Sequence, residues 1–124
     1  MKPVAILAWA CLVGFAAAPP AMAAVSVEVW RGGDDGLTNR AFDALEKAFG
    51  DAKDFSLARA GEGVVKVEIT HHLRSDAKRH VTAPYAISRA EAAPLVGKAT
   101  CTETTLPVCA DKILSATRTY LKNR

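Results

Sequence analysis

The fold is decided by residues 25–50, VSVEVWRGGDDGLTNRAFDALEKAFG. Residues 25–30 alternate between apolar and polar side chains, the period of a half-buried β-strand. After a glycine-rich loop the period changes, and from residue 37 to residue 49 the apolar residues recur at steps of three and four, which is typical of an amphipathic helix. Asp35 is placed to cap the start of this helix, and Gly50 is expected to end it. The stretch therefore predicts a strand followed by a helix.

Alternation resumes further along the chain and then gives way to a last helix. Strands are predicted over three segments: 55–57, 65–73 and 81–87. Pro84 lacks an amide hydrogen, so it indicates an edge strand or a bulge. Residues 89–100 show no clear period, and a short helix before Pro94 is one option there. A final helix is expected to begin near Thr105, with Pro107 in its first turn.

The predicted order of elements is β-α-β-β-β-α. It indicates an α+β fold, a two-layer sandwich in which two amphipathic helices cover a four-stranded, mostly antiparallel sheet. About 100 residues is the length of one domain, so residues 24–124 are predicted to form a single domain.

Residues 1–23 have the three parts of a cleavable signal peptide. Lys2 is followed by an uncharged apolar run over residues 4–18, and the small residues of Ala21-Met22-Ala23 predict cleavage after Ala23. The run is shorter than the ~20 residues of a membrane span, so we expect a periplasmic or secreted product with no span after cleavage. Two alternatives are an uncleaved anchor and a lipoprotein modified at Cys11.

Cleavage would leave two cysteines, Cys101 and Cys109. An even pair in an exported chain predicts a disulfide bond, the alternative being a metal site, although a spacing of eight does not match zinc frameworks. Of the 16 Lys and Arg, Lys2 alone lies in the predicted leader, which leaves 15 against 13 Asp and Glu. So mild a charge argues against a nucleic-acid binder.

Two segments carry a resemblance to known envelope proteins. Residues 37–57, LTNRAFDALEKAFGDAKDFSL, resemble the helix, gap and strand of the small N-terminal domain of TolB and related accessory proteins. Residues 30–38, WRGGDDGLT, together with the two cysteines, resemble a family of short, uncharacterised proteobacterial periplasmic proteins. The resemblance implies a small α/β envelope domain and supplies no catalytic residue. The TolB propeller is absent, so its partner contacts are not carried over.

Three histidines lie close together in the predicted hairpin after residue 65. If the hairpin closes symmetrically about Asp76, His72 faces His80 on the polar side with Cβ atoms ~4.5–5.5 Å apart. Such a pair could bind Zn²⁺ or Cu²⁺, with Asp76 or Glu68 as a third ligand. His71 would then point inward. In the alternative interpretation the facing pair is merely solvated, and a shift of one residue in register would separate it.

The same hairpin carries a cluster of cations, Arg74, Lys78 and Arg79, which we call the basic tip. It is a candidate site for an anionic envelope component or an acidic protein surface, although most clusters of this size only solvate the protein.

The sequence contains no recognisable arrangement of catalytic residues. It has no Gly-x-Ser-x-Gly elbow, and the cysteines are expected to be bridged. Together with the predicted export, the small size and an exposed sheet edge expected near Pro84, this favours a non-enzymatic binding or accessory module of the envelope that needs no cofactor. A periplasmic metal-binding protein that uses His72 and His80 is the alternative. An enzyme is the third choice.

Overall fold

The computed structural model describes residues 23–123. The predicted signal peptide, residues 1–23, therefore lies outside the described residues except for its last member. Five strands and two helices follow in the order β1-α1-β2-β3-β4-β5-α2. Their bounds are β1 Val25–Arg31, α1 Gly36–Asp51, β2 Phe55–Leu57, β3 Val65–Ile69, β4 His80–Arg89, β5 Leu95–Thr102 and α2 Leu106–Lys122.

The strands form one mixed sheet in the order β2-β1-β3-β4-β5. Strand β1 pairs in parallel with both β2 and β3, whereas β4 pairs antiparallel with β3 and with β5. The prediction of an α+β fold with two helices is confirmed. The sheet has five strands rather than four and is mixed, with two parallel and two antiparallel strand pairings, and the antiparallel ones contain more of the paired residues.

The additional strand is β5, which occupies the segment that showed no period. Of its residues only Ala99 is buried, and Gly97 has no side chain on the inward face. The hydroxyl end of Tyr85, directly opposite in β4, fills the space that a Cβ at position 97 would occupy. Because the inward positions are small, the apolar alternation that marks other strands is missing here. Residues 90–92 form a turn, so the short helix considered before Pro94 is absent.

Both helices lie on one face of the sheet, where they contact each other and enclose the core. The alternate residues of β3 that point toward them are fully buried. Phe49 of α1 meets Phe55 of β2 edge to face, with ring centroids 5.0 Å apart. The opposite face carries no helix among the described residues, and we call it the open face.

Strand β4 lies inside the sheet, so the edge strand predicted at Pro84 was wrong. The alternative, a bulge, is absent from the pairing with β5, which is continuous from His80 to Ile87. The Pro84 carbonyl oxygen accepts a hydrogen bond from the Thr70 amide at 3.1 Å, so the backbone of this residue faces β3. Strand β3 ends at Ile69, opposite Tyr85. The missing amide hydrogen of Pro84 therefore falls where the ladder is ending, and a proline costs little there.

The helix ends follow the predicted chemistry with one exception. Asp35 caps α1 by accepting a hydrogen bond from the Thr38 amide at 3.2 Å. Gly50 does not end this helix, because α1 continues to Asp51. Thr105 is the N-cap of α2 and a proline follows in its first turn, as predicted.

The two cysteines of the described chain are bonded to each other. A disulfide joins Cys101 to Cys109 and so ties the end of β5 to the first turn of α2. Neither described helix combines the length and the apolar character that a membrane crossing requires.

Candidate functional site

The structure separates the two histidines that were expected to face each other. The β3–β4 ladder stops at Ile69 opposite Tyr85, which is not the register of a hairpin centred on Asp76. His72 instead places Nδ1 2.7 Å from Oδ1 of Asp35, and His80 places Nδ1 3.3 Å from Oδ2 of Asp76. The predicted symmetric closure was therefore wrong. Ten residues, 70–79, connect the end of β3 to the start of β4, and His72 lies within this connection rather than in a strand opposite His80.

Metal binding by these residues gains no support from their arrangement. Across residues 23–123, no three His, Cys, Asp or Glu side chains converge as a metal site would require. Glu68 lies on the open face, where its carboxylate is 3.9 Å from Lys66. His71 is exposed rather than directed inward, and its ring contacts the Thr70 hydroxyl at 2.9 Å. Zinc or copper binding stays an untested prediction of the sequence.

The basic tip is a well-formed turn whose three cations are exposed. Asp76 organises the turn, because its side chain accepts hydrogen bonds from the amides of Lys78 and His80 at 2.9 and 2.8 Å. These bonds, the His80 amide first, lower the pKa of Asp76. Arg79 adopts the left-handed backbone conformation in this turn, with a φ of 64°. None of Arg74, Lys78 and Arg79 lies within ion-pair distance of a carboxylate in residues 23–123.

Strand β5 forms one edge of the sheet, and its residues divide into two sets by the direction of their backbone groups. Pro84 directs its carbonyl group toward β3, and both polar groups of a residue in an antiparallel ladder point the same way. The odd-numbered residues of β4 therefore face β5, where Ala83 pairs with Ala99 and Tyr85 with Gly97. It follows that the even-numbered residues of β5 direct their amide and carbonyl groups away from the sheet.

Two contacts at this edge agree with that assignment. The Thr100 carbonyl oxygen accepts a hydrogen bond from Nζ of Lys112, on α2, at 2.7 Å. The Thr102 amide donates to the Thr105 hydroxyl at 3.0 Å. In the described chain this leaves both backbone groups of Val96 and Lys98, and the Thr100 amide, directed to solvent without a protein partner.

The side chains around this edge are apolar and cationic. Val96 is 71% exposed on the open face, and Leu95 is 36% exposed beside it. Lys98 is exposed on the open face, and Lys112 reaches the edge from the helix side. Neither lysine lies within ion-pair distance of a carboxylate in residues 23–123.

The basic tip adjoins the far end of the same strand. His80 pairs with Thr102 across the β4–β5 ladder, and the Glu103 amide donates to the Arg79 carbonyl oxygen at 3.0 Å. A cleft of about 410 Å³ lies there and is lined partly by threonines, including Thr82 and Thr100. We call the outer edge of β5, with Lys98, Lys112, Lys78 and Arg79, the edge surface.

The edge surface combines residues that the sequence predicted with residues that it did not. Lys78 and Arg79 were expected at a binding site. Strand β5, its Lys98 and Lys112 of α2 were missed, because these residues carry no motif and the strand has no apolar alternation. The β-branched residues of the segment LVGKATCT were the available signal.

A second feature missed by sequence reasoning is a buried carboxylate on the open face. Glu28 is 7% exposed, and its side chain accepts hydrogen bonds from the amides of Gly61 and Gly63 at 2.8 and 2.9 Å. It also accepts one from the Trp30 indole at 2.7 Å. The hydrogen bond from the Gly63 amide is the main cause of its lowered pKa. Lys66 places Nζ 4.7 Å from the centre of the Trp30 ring, and this cation–π contact stabilises the Lys66 and Trp30 side chains against the open face.

A scan of the chain against protein-family models matched none of them, and a search of curated proteins found no significant relative.

Proposed function

We propose that this protein is an exported, disulfide-stabilised module of the cell envelope that acts by binding another protein, without catalysis. The leader-like residues 1–23 and the cysteine bridge support the compartment, because disulfides persist where thiols are not kept reduced. The TolB-like sequence pattern favours an accessory role. These features favour the periplasm as the compartment of the mature protein.

The unpaired edge of β5 is the observation that carries this proposal. Sheet edges in natural proteins are normally covered, very short, interrupted by proline or guarded by charged side chains, especially lysine. Strand β5 carries one charged residue, Lys98, but it has eight residues, contains no proline and exposes Val96 beside free backbone groups. An edge of this kind is a common docking element, since an extended segment can continue the hydrogen-bond ladder.

Site-specific photo-cross-linking in the native host tests the function. A benzophenone amino acid at Val96 is expected to give a discrete adduct with an envelope protein. The same amino acid at Asp43, an exposed position of α1, is the matched control and is expected to give none. Equal labelling from both positions, or no adduct from Val96, would contradict a binding role for the edge surface.

A further inference from the structure

The edge of β5 presents a regular row of hydrogen-bonding groups over Val96, Lys98 and Thr100. The register with β4 directs these groups outward, and Lys112 occupies one of them, the Thr100 carbonyl oxygen. Residues two apart along a strand repeat at ~6.6–7 Å, so an added strand can pair with each in turn. Five groups are open, two of them carbonyl oxygens and three of them amides. The backbone therefore offers a template for a sixth strand.

The charges at the edge indicate the chemistry of that strand. Lys98 lies on the open face and Lys112 on the helix side, so an added strand would meet a cation on each of its two faces. The acidic neighbour of Lys112, Asp111, lines the groove between the helices together with Lys47, away from the edge. Beyond Thr102 the chain continues with Glu103, whose carboxylate is 3.9 Å from Arg40 of α1 and whose amide donates to the Arg79 carbonyl oxygen, so the basic tip adjoins this end of the edge.

These charges also disfavour a second copy of the same chain. A symmetric antiparallel pairing centred on β5 would bring Lys98 close to its own counterpart and set the two Lys112 side chains around the same ladder. Like charges across a strand pair are destabilising. Edge lysines protect natural sheets from self-association in this way.

We infer that β5 accepts an extended acidic segment of a partner protein as a sixth strand, with carboxylates placed against Lys98 and Lys112. This inference rests on the proposed binding function and specifies its ligand. Lys112 would exchange the Thr100 carbonyl oxygen for a carboxylate, which frees that acceptor for the incoming strand. Exposed Val96 and Leu95 would then be covered by apolar residues of the partner.

The first test uses synthetic peptides and the ¹⁵N-labelled mature domain. Three blocked peptides share one strand-forming sequence of Val and Thr and differ in a central pair, which is Glu-Glu, Gln-Gln or Lys-Lys. We expect the acidic peptide to bind most tightly and to shift the amide resonances of Val96, Lys98 and Thr100. No binding, or equal binding of all three peptides, would overturn the inference.

Backbone methylation of the acidic peptide separates strand addition from charge attraction alone. Only alternate amides of an added strand face β5. One peptide carries N-methyl groups on its odd residues and another on its even residues. We expect one of them to lose at least tenfold in affinity while the other keeps the affinity of the parent peptide. Equal behaviour of the two would exclude a sixth strand.

Charge variants of the domain complete the test. We expect Lys98→Gln and Lys112→Gln each to weaken the acidic peptide about two- to fivefold, the effect of an exposed ion pair. Lys53→Gln, in the connection between α1 and β2, is the control and should leave affinity unchanged. Should all three variants bind alike, the inference fails. A cross-link from Val96 without peptide binding would retain the proposed function and reject this ligand.

Discussion

At the scale of single residues, long-range hydrogen bonds determine features that local patterns cannot show. Alternation in β1 assigns Glu28 to the polar face, which is correct, yet the side chain is buried there. Its partners, Gly61 and Gly63, are more than thirty residues away in sequence. A Cβ at position 63 would lie 2.7 Å from the Glu28 amide nitrogen, so this close approach requires glycine.

Replacing Glu28 with Gln should lower the free energy of unfolding by about 1–3 kcal/mol, because one of the two accepting oxygens becomes an NH2 group that cannot accept from the Trp30 indole or from the glycine amides, and the remaining acceptor is neutral. Chemical denaturation of the mature domain measures the change. Glu68→Gln is the matched control, since Glu68 lies on the same face and makes only a 3.9 Å contact with Lys66. Equal losses in the two variants would contradict a special role for Glu28.

Asp35 should contribute to the acid sensitivity of the fold. The Thr38 hydroxyl, and then His72, hold the pKa of Asp35 below its ordinary value of 3.8. The folded state thus binds fewer protons than the unfolded state, so this contribution is complete above about pH 5 and is lost as the pH falls through 4 and below. We expect Asp35→Asn to be less stable at neutral pH and to lose less stability on acidification.

Denaturation midpoints measured between pH 7 and pH 3 test this. Asp43→Asn, on the exposed face of α1, is the control and should follow the wild-type curve. Parallel curves for wild type and Asp35→Asn would show that Asp35 is not a source of the acid response.

At the scale of elements, the sequence was sufficient to predict the position of a helix or strand where one side of that element is apolar over several repeats. Helices α1 and α2 and strands β1, β3 and β4 have that property, and their positions were predicted within a few residues. Strand β5 does not, because Gly97 and Ala99 fill its inward face and Tyr85 supplies the volume. The candidate site depends on β5, so only its basic tip could be predicted.

The disulfide should stabilise the junction of β5 and α2. Closing a loop between cysteines eight residues apart contributes about 2–3 kcal/mol on the chain-entropy account. We expect the double variant Cys101→Ser, Cys109→Ser to lose about that much stability, measured by urea denaturation. The wild type in reductant is the control for the serine side chains. If the double variant and the reduced wild type both kept the full stability of the oxidised wild type, a stabilising role of the disulfide would be excluded.

At the scale of the whole molecule, the predicted cleavage site and the fold agree in position. Cleavage after Ala23 would place the new amino terminus one residue before β1, whose Val25 amide donates to the Asp54 carbonyl oxygen at 3.0 Å. The domain would thus keep every described strand and helix after its leader is removed.

Intact-mass analysis of the protein from its native host should give a chain that begins at Ala24. Its mass should be lower by two hydrogen atoms than the reduced form, and iodoacetamide should label it only after reduction. A Cys109→Ser variant, in which Cys101 has no partner, is the control for labelling. A chain that retains Met1 and is alkylated without reductant would contradict export and oxidation together.

The contact of Trp30 with Glu28 and Lys66 has a practical consequence. The sequence contains two tryptophans, Trp9 and Trp30, and the first lies in the predicted leader. The processed protein would therefore have a single indole fluorophore, held against a carboxylate and an ammonium group on the open face. Its emission wavelength and anisotropy can follow folding of the sheet without an extrinsic dye.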